Sequence, residues 1–269
     1  MPANPDLARR FLEMHRKDKP LLLANAWDVG SARLLASLGF EALATTSQGH
    51  AGTLGRHDGN VTRDEALAHA GELAAATSLP LNADLENGFA DAPKDVAETI
   101  RLAAETGLAG ASIEDFTGDA NDPIYTAGAA RERIEAAAEA ARNTGLVLTA
   151  RSENHLHGRP DLADTIARLQ SYEEAGADVV FAPGLTDAGD IGTLVESVGV
   201  PVNVLCFPGG PTVPELAAVG VARISVGSAF YKVAMNALAI AAREWRDEGT
   251  HAFWQEALGG MALTRKAFD

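Results

Sequence analysis

Eight short apolar runs, each followed by a longer stretch with helical spacing, leave this chain few folds to adopt. The runs lie at 21–25, 42–46, 79–84, 110–114, 147–151, 179–182, 200–205 and 223–226, and their aliphatic content marks them as buried strands. Helical patterns fill 31–38, 63–77, 93–106, 128–143, 161–175, 187–198 and 213–219, and a longer helical region runs from near Ser228 to about Glu248. Gly39, Gly107, Gly145, Gly176 and Gly220 each stand where a helix stops, because glycine takes the left-handed closing conformation at little cost. Strand then helix, repeated eight times, predicts a parallel sheet closed as a (β/α)8 TIM barrel. An open doubly wound sheet is the competitor, but eight evenly spaced units suit closure and no Gly-x-Gly-x-x-Gly follows the first strand.

A single barrel domain is therefore expected across residues 1–269, a length such barrels routinely reach. Two segments lie outside the eight units. Residues 5–16 read as an amphipathic helix covering the barrel's bottom. Residues 251–268 carry Phe253, Trp254, Leu258, Met261, Leu263 and Phe268, enough apolar surface to dock on the chain's own barrel or on a neighbour.

The formal net charge of −15 opposes binding to nucleic acid or to anionic membranes. Cys206 is the sole cysteine, so neither an intrachain disulfide nor a cysteine-based zinc cluster can form. The polar start lacks the apolar core of a signal peptide, and no apolar run approaches the roughly 20 residues of a membrane span. These features predict a cytoplasmic protein.

In a barrel of this type chemistry sits where the strands end. The third strand runs into Asn82-Ala83-Asp84-Leu85-Glu86-Asn87-Gly88, the fourth ends Ser112-Ile113-Glu114-Asp115, and the fifth ends Ala150-Arg151-Ser152-Glu153-Asn154. Asp84, Glu86 and Glu114 are thereby expected on one rim. Three carboxylates together raise one another's pKa unless a cation joins them, and a hard divalent ion such as Mg2+ suits oxygen donors. The Asp-x-Glu spacing on an extended chain lets both side chains address one side of the mouth. Arg151 adds a bidentate donor for a carboxylate or phosphonate. The plainer reading makes these charges helix caps and rim salt bridges, and Asp115 and Glu153 suit it as well as they suit a site.

These motifs resemble the isocitrate lyase and phosphoenolpyruvate mutase superfamily. Asp84-Leu85-Glu86-Asn87-Gly88 resembles its Asp-x-Asp-x-Gly metal motif, Glu114-Asp115 its strand-four pair, and Ala150-Arg151-Ser152-Glu153 its strand-five motif. Asn25-Ala26-Trp27-Asp28-Val29-Gly30-Ser31-Ala32 resembles its first turn, and the likeness extends through Tyr172-Glu173-Glu174-Ala175-Gly176-Ala177-Asp178, covering about residues 20–230. The resemblance implies that Asp84 holds Mg2+, or Mn2+ as a substitute, directly or through water, with Glu86 and Glu114 acting through ordered waters. It implies an α-keto carboxylate bound by Ser47, Gln48 and Gly49, the latter two through backbone N–H groups. It further implies Asp58 beside the substrate, and Arg151 on the group that leaves or migrates. Asn121 matches a gating-loop residue of the family's mutases and hydrolases. The same likeness implies a homo-oligomer, dimer or tetramer, with C-terminal helices from about residue 228 exchanged between subunits.

The departures narrow the chemistry. The family's lyases carry Lys-Lys-Cys-Gly-His after strand four, whereas here the segment reads Phe116-Thr117-Gly118-Asp119-Ala120-Asn121-Asp122-Pro123. Gln48 stands where many members have Gly, and no acidic residue follows strand six. His155 is a further candidate for substrate contact; with His157, His50 and His57 it also admits a zinc reading, against which solvated or supporting histidines weigh more heavily. The glycine turns after strands seven and eight lack Lys or Arg and read as ordinary turns. Lys17, Lys19, Lys94, Lys232 and Lys266 end no strand, which opposes a Schiff-base aldolase. Cys206 reads as a small buried hydrophobe. The expected function is Mg2+-dependent carbon–carbon cleavage of a small α-keto or 2-hydroxy di- or tricarboxylate through a pyruvate enolate, oxaloacetate decarboxylation foremost. Phosphonopyruvate or phosphoenolpyruvate mutase or hydrolase chemistry, and a barrel that binds a keto acid without turnover, are the alternatives.

Overall fold

The computed structural model describes residues 5–268. Eight parallel strands close into a barrel in sequence order: β1 (Leu21–Ala26), β2 (Leu43–Thr45), β3 (Leu81–Asp84), β4 (Gly110–Glu114), β5 (Val147–Arg151), β6 (Val179–Phe181), β7 (Val202–Leu205) and β8 (Arg223–Ser225). β8 returns to β1 with Leu21 opposite Arg223, so no edge strand remains. Helices α2 (Val29–Ser37), α4 (Arg63–Ala76), α5 (Pro93–Ala104), α6 (Ala127–Thr144), α7 (Leu162–Glu174), α8 (Ala188–Ser197) and α9 (Val213–Ala218) lie between them.

Local chemistry fixes the helix starts. Asp28, Thr62, Thr126, Asp161 and Asp187 each cap a helix with a side-chain oxygen, and Thr62 and Glu65 form a reciprocal capping box. Between strands and helices the core is filled by small and branched side chains, among them Leu81, Ile100, Ile113, Leu148 and Val180.

One short helix, α3 (Ser47–Thr53), follows β2 where the sequence predicts only a turn. Its Ser-Gln-Gly-His-Ala-Gly-Thr composition carries two glycines, which mask helical propensity, and Thr46 supplies the cap. α1 (Pro5–Glu13) stops earlier than expected and closes the barrel's bottom through the fully buried Phe11. Just beyond it, His15 Nδ1 lies within hydrogen-bond distance of the Phe11 carbonyl, while Nε2 faces Arg223 Nη1 at 3.2 Å.

After β8 come α10 (Ala229–Arg243), a π turn (Glu244–Glu248) and α11 (Trp254–Phe268). None of these residues is buried, and Val233, Leu238, Ile240, Trp245, Met261 and other apolar side chains face outward. α11 packs against α2 of its own chain, with the Phe268 ring over Gly30. Among the described residues no helix is long and apolar enough to cross a membrane.

Candidate active site

A cavity of about 280 Å³ opens at the C-terminal mouth of the barrel and descends between the strands. Thr46, Ser47, Gln48, Asp58, Asp84, Arg151, Phe207, Ser228 and Lys232 line its upper part, and Asn25, Asn82, Asn203, Ser225 and Arg223 its polar interior.

Arg151 organises the acidic wall. Its Nη1 donates to Asp84 Oδ1 at 2.9 Å, and its Nη2 stands 3.2 Å from Glu114 Oε2 and 2.8 Å from Glu153 Oε1. Register places Glu114 directly beside Arg151, and Asp84 beside Ser112, so the pairing follows from the sheet itself. Burial alone would lower the pKa of this guanidinium, but Glu153, Glu114 and Asp84 outweigh it and keep the group charged.

The carboxylates outnumber their cation. Burial, then the charges of Asp84 and Asp58, push Glu86 up to about 8. Glu114 is raised well above the ordinary range by burial, with Arg151 opposing. Glu153 is raised chiefly by burial against the same opposition. Asp58, exposed on the loop after α3, has its carboxyl raised by partial burial and by Asp84, while the Ser47 hydroxyl hydrogen-bonds to it. All four carboxyls are thus shifted toward their neutral form, a shift that a further cation would oppose.

The expected triad is not gathered around one point. Of the three, Asp84 alone lines the main cavity, and it also lines a smaller neighbouring one with Glu86, His50 and His69; Glu114 lines neither and pairs with the Arg151 guanidinium. No group of three or more His, Cys, Asp or Glu among the described residues has a metal-holding arrangement. Asp84 and Glu86 share that smaller cavity, but not by way of an extended chain. The chain turns at once, with the Gly88 N–H bonded to the Leu85 carbonyl at 2.8 Å and Glu86 in the left-handed region at φ 49°. Such backbone is strained for a non-glycine residue. The loop is held by Arg133, 2% exposed, which donates to the carbonyls of Asn87, Ala90 and Asp91 and stacks on Tyr125.

The other expected residues divide. Ser47 and Gln48 line the cavity; the Ser47 N–H donates to Asp84 Oδ2 at 3.3 Å, and Gln48 Oε1 accepts from the Ser228 hydroxyl at 2.6 Å. Gly49 does not line it, and its N–H is directed at Thr46 Oγ1 as part of the α3 cap. A Cβ at Gly49 would fall 2.6 Å from Thr46 Cγ2 and 2.8 Å from Trp27 Cβ, so glycine is there for packing. Trp27 itself lies outside the cavity, edge-on to Tyr231. His155 is outside as well; its neighbour Leu156 forms the wall.

Asn121 is exposed and bonded to Asp119 Oδ1 in a loop folded on itself by the Phe116–Ile124 bridge, so this conformation does not bring it to the cavity. Cys206 is exposed, contrary to expectation, because β7 ends one residue before it. Asp115 is not a site group: it is 1% exposed and bonded to Tyr172, Arg168 and the Glu153 N–H.

Sequence reasoning missed the polar inner layer and Lys232. The first had a signal, since Asn82 and Asp84, Asn203, and Arg223 and Ser225 occupy inward-facing positions of otherwise apolar strands. Lys232 had none, because helix spacing does not say which face of α10 meets the mouth.

Fold and pocket together define a (β/α)8 barrel whose C-terminal mouth is built from carboxylates, one engaged arginine and a polar turn. The Phosphoenolpyruvate phosphomutase family model matches residues 11–246, and the chain belongs to this family, within the isocitrate lyase and phosphoenolpyruvate mutase superfamily. A crystal structure of a putative lyase/mutase from Burkholderia cenocepacia is 52% identical, with a TM-score of 0.92 over 97% of this chain and 95% of that one. The 2-methylisocitrate lyase of Escherichia coli is 29% identical over 87% of this chain and 82% of its own length. The oxaloacetate decarboxylase of Pseudomonas fluorescens Pf-5 is 28% identical over 93% of this chain and 88% of its own. Such relatives support a carbon–carbon bond-cleaving activity for the superfamily barrel.

Proposed function

We propose that this barrel cleaves a carbon–carbon bond in a small α-keto dicarboxylate through a pyruvate-enolate species, with oxaloacetate decarboxylation as the leading case. The observation that carries the reading is the pairing of Asp84 with Arg151 on the wall of a cavity that the Ser47-Gln48 turn also lines, joined to Asp84 through the Ser47 N–H. Loss of the β-carboxylate needs charge stabilisation at the keto oxygen and a bound C1 carboxylate; it does not need the cysteine absent from the loop after β4.

The donor chemistry suits a hard divalent cation bound largely through water, there being no preformed cage of three side chains among the described residues. All the acidic groups offer oxygen, they outnumber Arg151, and burial and neighbouring carboxylates raise the carboxyls of Glu86 and Glu114, a shift that a cation would oppose. Asp84 would hold Mg2+, with Asp58, Glu86 and Glu114 acting through water. The ion, or Mn2+ in its place, supplies positive charge for a developing enolate oxygen. The chain's own residues do the rest. Ser47 and Gln48 orient the C1 carboxylate, Arg151 fixes Asp84 in place, and the apolar walls at the buried Phe181 and half-buried Leu205 limit water.

Support for a homo-oligomer comes from α10 and α11, whose apolar faces would be covered by a second copy of the chain. A panel of α-keto acids assayed with and without Mg2+ tests the proposal. It expects pyruvate from oxaloacetate only with the ion; phosphate release from phosphonopyruvate, or ligand binding with no turnover of any member, would overturn it.

A further inference from the structure

Three cationic side chains line the main cavity, and two of them are already committed. Arg151 is paired with Asp84, Glu114 and Glu153. Arg223 lies fully inside the barrel floor, with Nη1 facing His15 Nε2 and Nη2 donating to the Thr149 hydroxyl at 3.1 Å. The third is Lys232, on the first turn of α10, which makes no ion pair with any described residue.

We infer that Lys232 recognises the far carboxylate of the substrate and so restricts the site to dicarboxylates, an inference that rests on the function proposed above. Its position is fixed by neighbours on two elements. The Ser228 hydroxyl bonds Gln48, and the Lys232 N–H bonds the Ser228 carbonyl at 2.9 Å, so the start of α10 is tied to the turn that receives the C1 carboxylate. Tyr231 packs edge-on to Trp27 and over Gly52, where a Cβ would lie 2.1 Å from the tyrosine oxygen. The lysine stem therefore rises from a clamped helix end and lines the same cavity as Ser47 and Gln48.

Electrostatics selects the same residue. Asp58 and Asp84 on the cavity wall repel a second carboxylate, and the charge of Arg151 is already offset by three carboxylates. The ammonium without a counter-ion is where that group settles.

The chemistry makes a distinctive demand. In decarboxylation the C3–C4 bond breaks, its electron pair becomes the C2–C3 double bond of the enolate, and C4 departs as CO2. The enolate then takes a proton at C3 to give pyruvate. Because the departing carboxylate loses its charge on the way, an ammonium paired with it binds the ground state more tightly than the transition state. Lys232 thus confers selectivity and binding; it does not accelerate the bond cleavage.

The test is Lys232→Met with Lys232→Arg as the charge-restoring control. For oxaloacetate, K232M is expected to raise KM by about 10- to 100-fold without lowering kcat, and K232R to recover most of the loss. Calorimetry adds two unreactive probes: oxalate, which lacks the far arm, should bind K232M within about twofold of wild type, whereas malate should weaken at least about tenfold. A parallel fall in kcat, or equal weakening of oxalate and malate, or no change in either, would overturn the role of Lys232 while leaving the proposed function standing. Failure of the unaltered protein to bind either probe would overturn both.

Discussion

Replacing Asp115 by Ala tests how the acidic wall is held, and its cost can be worked from the contacts. The side chain is 1% exposed, and its two oxygens serve three donors: the Glu153 N–H at 2.8 Å, the Tyr172 hydroxyl at 2.7 Å and Arg168 Nη1 at 3.3 Å. Alanine leaves the buried Tyr172 hydroxyl and the Glu153 amide without acceptors, at roughly 1–2 kcal/mol each for groups of this kind. Arg168 loses one partner but keeps Asp164 at 2.7 Å and the Tyr125 carbonyl at 2.9 Å, which limits that contribution to about 1 kcal/mol. The sum is about 4 kcal/mol, equivalent to a Tm lowered by roughly 10 °C in a domain of this size. Urea unfolding followed by circular dichroism reads it directly. Adding Tyr172→Phe removes one of the two orphans and should recover about 1 kcal/mol relative to the single variant. A loss below about 1 kcal/mol, or a double variant no better than the sum of its parts, would refute the network.

Other outcomes follow from the same structure. His15 is held near a pKa of about 3 by burial and by Arg223. The unfolded chain therefore takes up a proton at about 6.5 that the native state refuses, and stability should fall as pH drops from about 6.5 toward 3, by up to about 1.4 kcal/mol per unit. His15→Gln, which can still accept from Arg223, should flatten that slope in urea titrations at several pH values, and an unchanged slope would remove His15 from the account. Gly49→Ala places a Cβ between Thr46 and Trp27, so it should cost about 1–3 kcal/mol and disturb the Ser47-Gln48 turn. A variant with wild-type Tm and KM would contradict that crowding.

The fold was readable in the sequence because its signals were redundant. Gly110–Glu114 and Val147–Arg151 have the bounds expected from apolar content alone, and helices such as Arg63–Ala76 carry a cap at one end. α3 was lost because its stability comes from the Thr46 cap and from packing on Trp27 and Tyr231, not from helix-forming residues. At the site, the residues ending β3, β4 and β5 were legible, since a strand end fixes where a side chain begins. How they pair was not. The turn at Glu86, the Arg151 bridge between Asp84 and Glu114, and the self-closed loop around Asn121 depend on dihedrals and distances that spacing does not encode. Lys232 belongs with these, because only the packed position of α10 brings it to the mouth.

Pyruvate release from oxaloacetate by the unaltered chain and by Asp84→Asn, each measured in chelator and then with added Mg2+, bears most directly on the proposed chemistry. Turnover that needs the ion in the unaltered chain, and falls at least about a thousandfold in the variant while its folded spectrum persists, is the predicted result. Full activity in chelator, or an Asp84→Asn protein as fast as the original, would mean that no cation held at Asp84 takes part.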